Sequence, residues 1–257
     1  MRKGLAIVTG GAMGIGKAIA KELTPFYKTV LIVDIAEEEG KKTAEELTND
    51  DCKVSYCRCD LTKDESVEEL FEEIGKEYGR IDSLVCNAGI QIRHWATEFP
   101  MEEFDRLFSV NLRAYYLCAR LAARNMQEHG GGSIVCISSV NGQKYHSKRS
   151  AYNISKAAIN GLVGTLAVEW GRFGIRINAV APGYVETEVM LSGVREGIID
   201  IDKALSIIPM KRFIKPEEIG RVVNFLLSDT ASAVTGQVLC VDGGWSINAL
   251  PEEKDLP

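Results

Sequence analysis

The chain has 257 residues and a formal net charge of −6, with 26% of its residues charged. That length suits one domain with a sizeable core, and the negative balance offers no electrostatic footprint for nucleic acid. No apolar run reaches the roughly eighteen residues of a membrane span, and the first apolar stretch is broken at once by glycines, unlike a signal peptide, so a cytoplasmic protein is expected.

Leu5-Ala6-Ile7-Val8-Thr9 is a short β-prone run that leads into Gly10-Gly11-Ala12-Met13-Gly14-Ile15-Gly16 and then into a helical pattern through Ala18, Ile19, Ala20 and Leu23. A strand, a glycine-rich turn and a helix start, in that order, make a phosphate cradle: glycines let the backbone approach a pyrophosphate, and the helix N-terminus presents free N–H groups. The spacing, Gly10-x-x-x-Gly14-x-Gly16, departs from the commoner G-x-G-x-x-G. The next run, Val30-Leu31-Ile32-Val33, ends in Asp34. A carboxylate at that place accepts hydrogen bonds from a ribose diol and repels a 2′-phosphate, which argues for NAD over NADP.

Further β-type runs at 53–59, 83–86, 133–138, 175–180 and 237–241 are separated mostly by helical patterns such as 64–77, 101–127 and 150–171. This alternation predicts an α/β fold: a doubly wound, Rossmann-type parallel sheet of about seven strands with helices on both faces. No linker or repeat divides the chain, so a single domain over 1–257 is expected. Residues 183–209 are too long and irregular for a simple connection and read as a substrate lid, and 247–257 as a polar tail. Seven cysteines, most within apolar patterns, read as free buried thiols. Cys52, Cys57 and Cys59 lack a nearby His and have poor zinc spacing, so neither a metal nor a disulfide is expected.

In 150–171, Ala151, Ile154, Ala158, Leu162, Leu166 and Trp170 recur at helical spacing. Tyr152 and Lys156 therefore lie on one helix face. A cation beside a tyrosine favours the phenolate, so Lys156 is expected to lower the Tyr152 pKa and fit it for moving a proton on or off a substrate oxygen.

Thr9-Gly10-x-x-x-Gly14-x-Gly16, Asn87-Ala88-Gly89, Ser139, Tyr152-x-x-x-Lys156 and Pro182-Gly183 with Thr187 stand in the order and spacing of the short-chain dehydrogenase/reductase superfamily, which the chain resembles from Leu5 to Trp245. The resemblance implies the strand order 3-2-1-4-5-6-7, a homotetramer, and hydride transfer between a nicotinamide and a secondary alcohol or ketone. It implies catalytic roles for Asn111, Ser139, Tyr152 and Lys156, with Asn111 anchoring a water that leads to the lysine. Ser138 is the alternative to Ser139, and strand alternation allows only one of them to serve. Implied cofactor contacts come from Gly10, Met13, Gly14, Ile15 and Gly16, from Asp34 and Ile35, from Asp60 and Leu61, from Asn87, Ala88 and Gly89, from Tyr152 and Lys156, and from Pro182, Gly183, Val185 and Thr187. Asp60 reads equally well as a cap near the following helix. Cys86 replaces the first Asn of the family's Asn-Asn-Ala-Gly segment, which puts one sheet-stabilising hydrogen bond in doubt.

The stretch Asn87 to Trp95, followed by Glu98-Phe99, resembles gluconate 5-dehydrogenases and related sugar-acid or polyol dehydrogenases. The loop after Ser139 carries Lys144, His146, Lys148 and Arg149 in a chain of negative total charge. Cations near a site favour an anionic substrate, and Arg93 and His146 are the candidate substrate residues; the alternative is that these are solvated loop charges. A 3-oxoacyl thioester reductase or a hydroxysteroid or bile-acid dehydrogenase would use the same catalytic set. A non-catalytic nucleotide-sensing protein ranks last, because all four catalytic positions are intact.

Overall fold

A computed structural model describes residues 2–248. β1 (Lys3–Thr9), β2 (Tyr27–Asp34), β3 (Lys53–Arg58), β4 (Ser83–Cys86), β5 (Gly132–Ile137), β6 (Ile175–Pro182) and β7 (Val238–Val241) form one sheet. Its order is β3-β2-β1-β4-β5-β6-β7, and every neighbouring pair is parallel. Strand alternation divides the core: Leu5, Ile7, Leu31, Val33 and Ile134 point to one face, Ala6, Val8, Val30, Ile32 and Val135 to the other. Both faces are covered, which is why the strands are apolar on both sides. α3 (Asp64–Tyr78), α5 (Ala114–Glu128) and α6 (Ser150–Trp170) cover the first face through Val67, Leu70, Tyr115, Ile159 and Val163. α1 (Gly14–Leu23), α2 (Glu37–Leu47) and α9 (Pro216–Leu227) cover the second through Ile19, Leu23, Ala44, Ile219 and Val223.

The order reverses at β1 and β4, so a crevice opens beyond the carboxyl ends of these strands. The expected helical pattern over 101–127 is interrupted. α4 (Met101–Phe108) passes into α5 through a π-helical turn over Ser109–Arg113, with Asn111 fully buried inside it. Such a turn inserts a residue into the helix and re-aims the side chains around it. The segment 183–209 holds two short helices, α7 (Glu188–Arg195) and α8 (Ile201–Ser206). Of the tail 247–257, Ile247 closes a 3₁₀ turn begun at Trp245, and the part beyond residue 248 lies outside the described residues. Among the described residues no helix is long and apolar enough to cross a membrane.

Candidate active site

The turn between β1 and α1 depends on glycine. Gly10 and Gly14 have φ of +64° and +54°, and a Cβ on Gly16 would lie 2.0 Å from the Gly10 carbonyl oxygen. The Asn87 side-chain amide fastens this turn to the end of β4, donating to Thr9 O at 3.1 Å and Gly10 O at 2.9 Å. The Thr9 hydroxyl accepts from the Asn87 N–H at 3.0 Å. α1 begins without a side-chain cap and without an acidic residue in its first turn, so among the described residues no capping side chain competes for its N-terminal N–H groups. A backbone cradle of this shape and polarity suits a pyrophosphate. Asp34 borders it: Oδ2 accepts from Ala12 N–H and Oδ1 from Ala36 N–H, both at 3.1 Å. Met13 and Ile35 are 56% and 57% exposed, leaving apolar surface at the crevice that a bound group would cover.

The other strand ends fall around the same crevice. Asp60 Oδ1 accepts from the N–H and hydroxyl of Thr62, at 3.1 and 2.7 Å. It closes a side-chain turn before α3, whose own cap position is Lys63, so the expected helix-cap role becomes a turn role. Leu61 packs against the core. Cys86, in place of the family's Asn, is buried with its thiol 3.9 Å from the Tyr115 carbonyl. Gly183, after Pro182, packs so closely on Asp242 that a Cβ would lie 2.8 Å from the aspartate Cβ. The Val185 carbonyl accepts from Thr187 N–H at 2.7 Å. Thr187 caps α7, and its methyl lies 3.6 Å from where a Gly14 Cβ would be, so the start of α7 borders the glycine turn.

Ser139 heads a short 3₁₀ turn and accepts from Asn141 N–H at 3.1 Å. Ser138 is turned inward, its hydroxyl engaged with Lys156 O at 3.0 Å and Asn160 Oδ1 at 2.7 Å. Alternation thus leaves Ser139 at the crevice, where its hydroxyl acts on the Tyr152 phenol. Lys156, 3% exposed, donates from Nζ to Ile137 O at 2.8 Å. The ammonium lies 5.8 Å from the Tyr152 ring centroid and 5.2 Å from that of Tyr115. Burial pulls the Lys156 pKa down to about 8.

The expected lowering of Tyr152 by its neighbour is overturned. Burial raises the phenol above its ordinary value, and the groups that oppose burial are the Ser139 hydroxyl and the Arg149 guanidinium. Lys156 donates to the Ile137 carbonyl rather than to the phenol. Asn111 sits fully buried in the π-helical turn. Its amide pairs with both backbone groups of Ile90, accepting from N–H and donating to O at 2.9 Å each. It therefore pins the loop after Gly89, and a Cβ on that glycine would approach Asn111 Oδ1 at 3.4 Å and Lys156 Nζ at 3.7 Å.

Two loops meet beside the phenol. A bridge pairs His94 with Arg149, and His94 N–H donates to Lys148 O at 3.1 Å. Asn153 Nδ2 donates to His146 O at 2.9 Å. The His146 ring meets Trp245 edge-on at 5.4 Å, and Trp245 stacks on Tyr184 at 5.0 Å. His146 is half-buried, and burial followed by the charges of Arg149 and Arg93 lowers its pKa. Arg93 is exposed at the outer side of this group. Sequence reasoning missed the aromatic wall. The signal available was the turn Asp242-Gly243-Gly244 after β7, where the buried Asp242 carboxylate accepts from Gly244 and Ser246 N–H at 2.9 and 2.7 Å and so sets Trp245 in place.

Residues 10–246 match the family model described as "Enoyl-(Acyl carrier protein) reductase". The chain is 36% identical to an NAD-dependent glycerol dehydrogenase of Listeria innocua, over 95% of this chain and 94% of that protein. It is 37% identical to a 3-oxoacyl-[acyl-carrier-protein] reductase of Thermotoga maritima, over 93% and 96%. A solved structure named as a candidate NAD(P)-dependent gluconate 5-dehydrogenase of Beutenbergia cavernae, with bound NADP, superposes with a TM-score of 0.89 at 36% identity, covering 95% of this chain and 97% of that one. With the predicted motifs, strand order and crevice all present, these similarities establish that the chain belongs to the short-chain dehydrogenase/reductase superfamily and is an NAD(P)-dependent dehydrogenase/reductase.

Proposed function

We propose that the protein is an NAD-preferring oxidoreductase that interconverts a secondary alcohol and a ketone on a small polar substrate, a sugar acid or polyol. The observation that carries this reading is the convergence of the Ser139 hydroxyl, the Tyr152 phenol and the Lys156 ammonium at the end of β5, beside the glycine cradle. Ser139 donates a hydrogen bond to the substrate oxygen and holds it at the phenol. Tyr152 takes the hydroxyl proton in the oxidative direction, its burial-raised pKa opposed by Ser139 and Arg149 and by the positive nicotinamide ring of a bound oxidised cofactor, and returns it in the reductive one. A bound nicotinamide dinucleotide supplies the acceptor and donor of the carbinol hydrogen. Gly10, Met13, Gly14, Ile15 and Gly16 would hold its pyrophosphate; Asp34, Ile35, Asp60 and Leu61 its adenosine; Asn87, Ala88, Gly89, Lys156, Pro182, Gly183, Val185 and Thr187 its nicotinamide half. The reading is tested by assaying sugar acids, polyols, hydroxy acids, hydroxysteroids and 3-oxoacyl thioesters with each dinucleotide at the nicotinamide absorbance band. A clear maximum on 3-oxoacyl thioesters would replace it with the reductase reading, which the Thermotoga relative supports.

Asp34 favours NAD because a 2′-phosphate would be set against its carboxylate. The unmodified enzyme should use NAD at least about tenfold more efficiently than NADP. Asp34→Ala should narrow that gap, since Arg58 on the adjacent strand is left to face a phosphate. The variant should also lose about 1–2 kcal/mol of stability, as the N–H groups of Ala12 and Ala36 lose their acceptor. Steady-state kinetics with both dinucleotides and a denaturant melt measure the two effects, and equal efficiencies in the unmodified enzyme would sink the assignment.

One hydrogen-bonded sheet from Lys3 to Val241 supports a single catalytic domain. Seven unpaired cysteines support a reducing, cytoplasmic setting. Met101, Tyr116, Val168 and Phe173 on α4 to α6 and the turn that follows, and Phe225 and Leu239 on α9 and β7, expose apolar surface in two regions, as a homotetramer built on two kinds of contact requires. Light scattering at micromolar concentration should return four times the chain mass of 28.2 kDa; a monomeric mass would rule the tetramer out.

A further inference from the structure

Arg149 precedes Tyr152 by one helical turn and stands at the start of α6. Its guanidinium is half-buried. Among the described residues no carboxylate pairs with it and no hydrogen bond from its side chain is present. The charged and titratable groups that face it are Arg93, His146, Tyr152 and Tyr184. None of these is anionic at neutral pH in its ordinary form, and one of them is a second guanidinium. The nearby carboxylate of Glu103 is engaged with His94 Nε2 at 2.9 Å. A guanidinium taken out of water without a partner is costly, and burial accordingly pulls its pKa below the usual arginine range. Two like charges are held at the same place by backbone, because the bridge between His94 and Arg149 ties the Arg93 loop to the Arg149 loop. Solvated surface arginines have no such tether and no such burial.

We propose that Arg149, with Arg93 behind it, is the anion anchor of the substrate pocket, gripping the carboxylate of a hydroxy or keto acid through two parallel N–H···O bonds while the carbinol carbon lies at Ser139 and Tyr152. This rests on the catalytic reading of Ser139 and Tyr152 and names the feature of the substrate that the pocket selects. The fork of an arginine matches a carboxylate in a way a lysine cannot. Trp245, stacked on Tyr184 and met edge-on by His146, gives the neighbouring wall an apolar surface against which a carbon chain can lie. The same guanidinium acts on the phenol, so its removal has a second, separable effect on the pH profile.

The test compares acids with neutral partners that differ only in having CH₂OH for the carboxylate: gluconate against glucitol, and 3-hydroxybutyrate against butane-1,3-diol. Binding is read by calorimetry on enzyme saturated with NADH, and turnover with NAD where it occurs. The unmodified enzyme should bind at least one acid tenfold or more tighter than its neutral partner. Arg149→Met, which keeps the apolar stem, should abolish that preference, with a loss of about a hundredfold on the acid and little change on the neutral compound. Arg149→Lys should restore only part of the preference, and Arg93→Met should lose about tenfold. Turnover of a neutral alcohol with NAD by Arg149→Met should shift its acid-side limb to higher pH, because Tyr152 must be ionised to accept the proton, and a merely structural role would not produce that shift. NADH affinity should be unchanged in every variant and reports that the cradle is folded. No acid preference in the unmodified enzyme, or a preference retained by Arg149→Met, overturns the anchor. Acid-selective, Arg149-dependent binding without turnover on any compound leaves the anchor standing and overturns the oxidoreductase reading instead.

Discussion

Tyr152→Phe should lower turnover by about two to four orders of magnitude while NAD affinity changes little, the range expected when a general acid or base is removed. The substitution deletes one oxygen and leaves the half-buried ring in its place on α6. The cradle, the Asp34 contacts and the Lys156 bond to Ile137 involve none of the deleted atom. Binding and chemistry should therefore separate cleanly. Fluorescence titration with NADH and turnover on the best panel substrate decide the point. Near-normal turnover by the Phe variant would overturn the mechanism, whatever the family similarity.

Gly16→Ala should be the most damaging single methyl group in the cofactor site. The added carbon would lie 2.0 Å from Gly10 O and 2.6 Å from Asn87 Nδ2, two atoms already bonded to each other at 2.9 Å. Neither can retreat without opening the turn, so the strain falls on the cradle itself. A stability loss of about 1–3 kcal/mol is typical of such overpacking, and NADH affinity should fall by about ten- to a hundredfold. Gly75→Ala is the matched control: it sits inside α3 with nothing within 4 Å of the new carbon. It should stabilise by about 0.5–1 kcal/mol, the helix propensity gain of alanine over glycine. Thermal melts and NADH titration of both variants measure the contrast, and an unimpaired Gly16→Ala would refute the cradle.

The sheet was legible because its strands are apolar runs punctuated by glycine, proline or a polar end, and its order followed from the family resemblance. β2 begins earlier than the apolar run at Val30, since Tyr27 hides its hydroxyl in a 2.7 Å bond to Ser83 that no local pattern announces. The π turn around Asn111 was invisible for a related reason: one inserted residue barely disturbs a periodicity that continues on both sides of it. The spacing of Tyr152 and Lys156 gave their common helix face. It did not give the sign of the tyrosine shift, because burial is set by how α6 packs on the sheet. Arg149 reads in sequence like its neighbours Lys144 and Lys148. Only the pairing with His94 separates a desolvated arginine from ordinary loop charge. The stacking of Tyr184 on Trp245 joins residues far apart in the chain, so local reading could not reach it.

On the proposed cofactor reading Asp34 faces the nucleotide, yet each of its oxygens is already an acceptor for the backbone of the glycine turn and the start of α2. For a lineage, or an engineer, that dual employment makes cofactor choice a rugged trait. A mutation that welcomes a phosphate also unpins the turn meant to receive it, so the first step toward NADP is taken by a weakened protein. The route runs through paired changes, with a new acceptor for the Ala12 and Ala36 amides fixed before, or together with, the loss of the carboxylate.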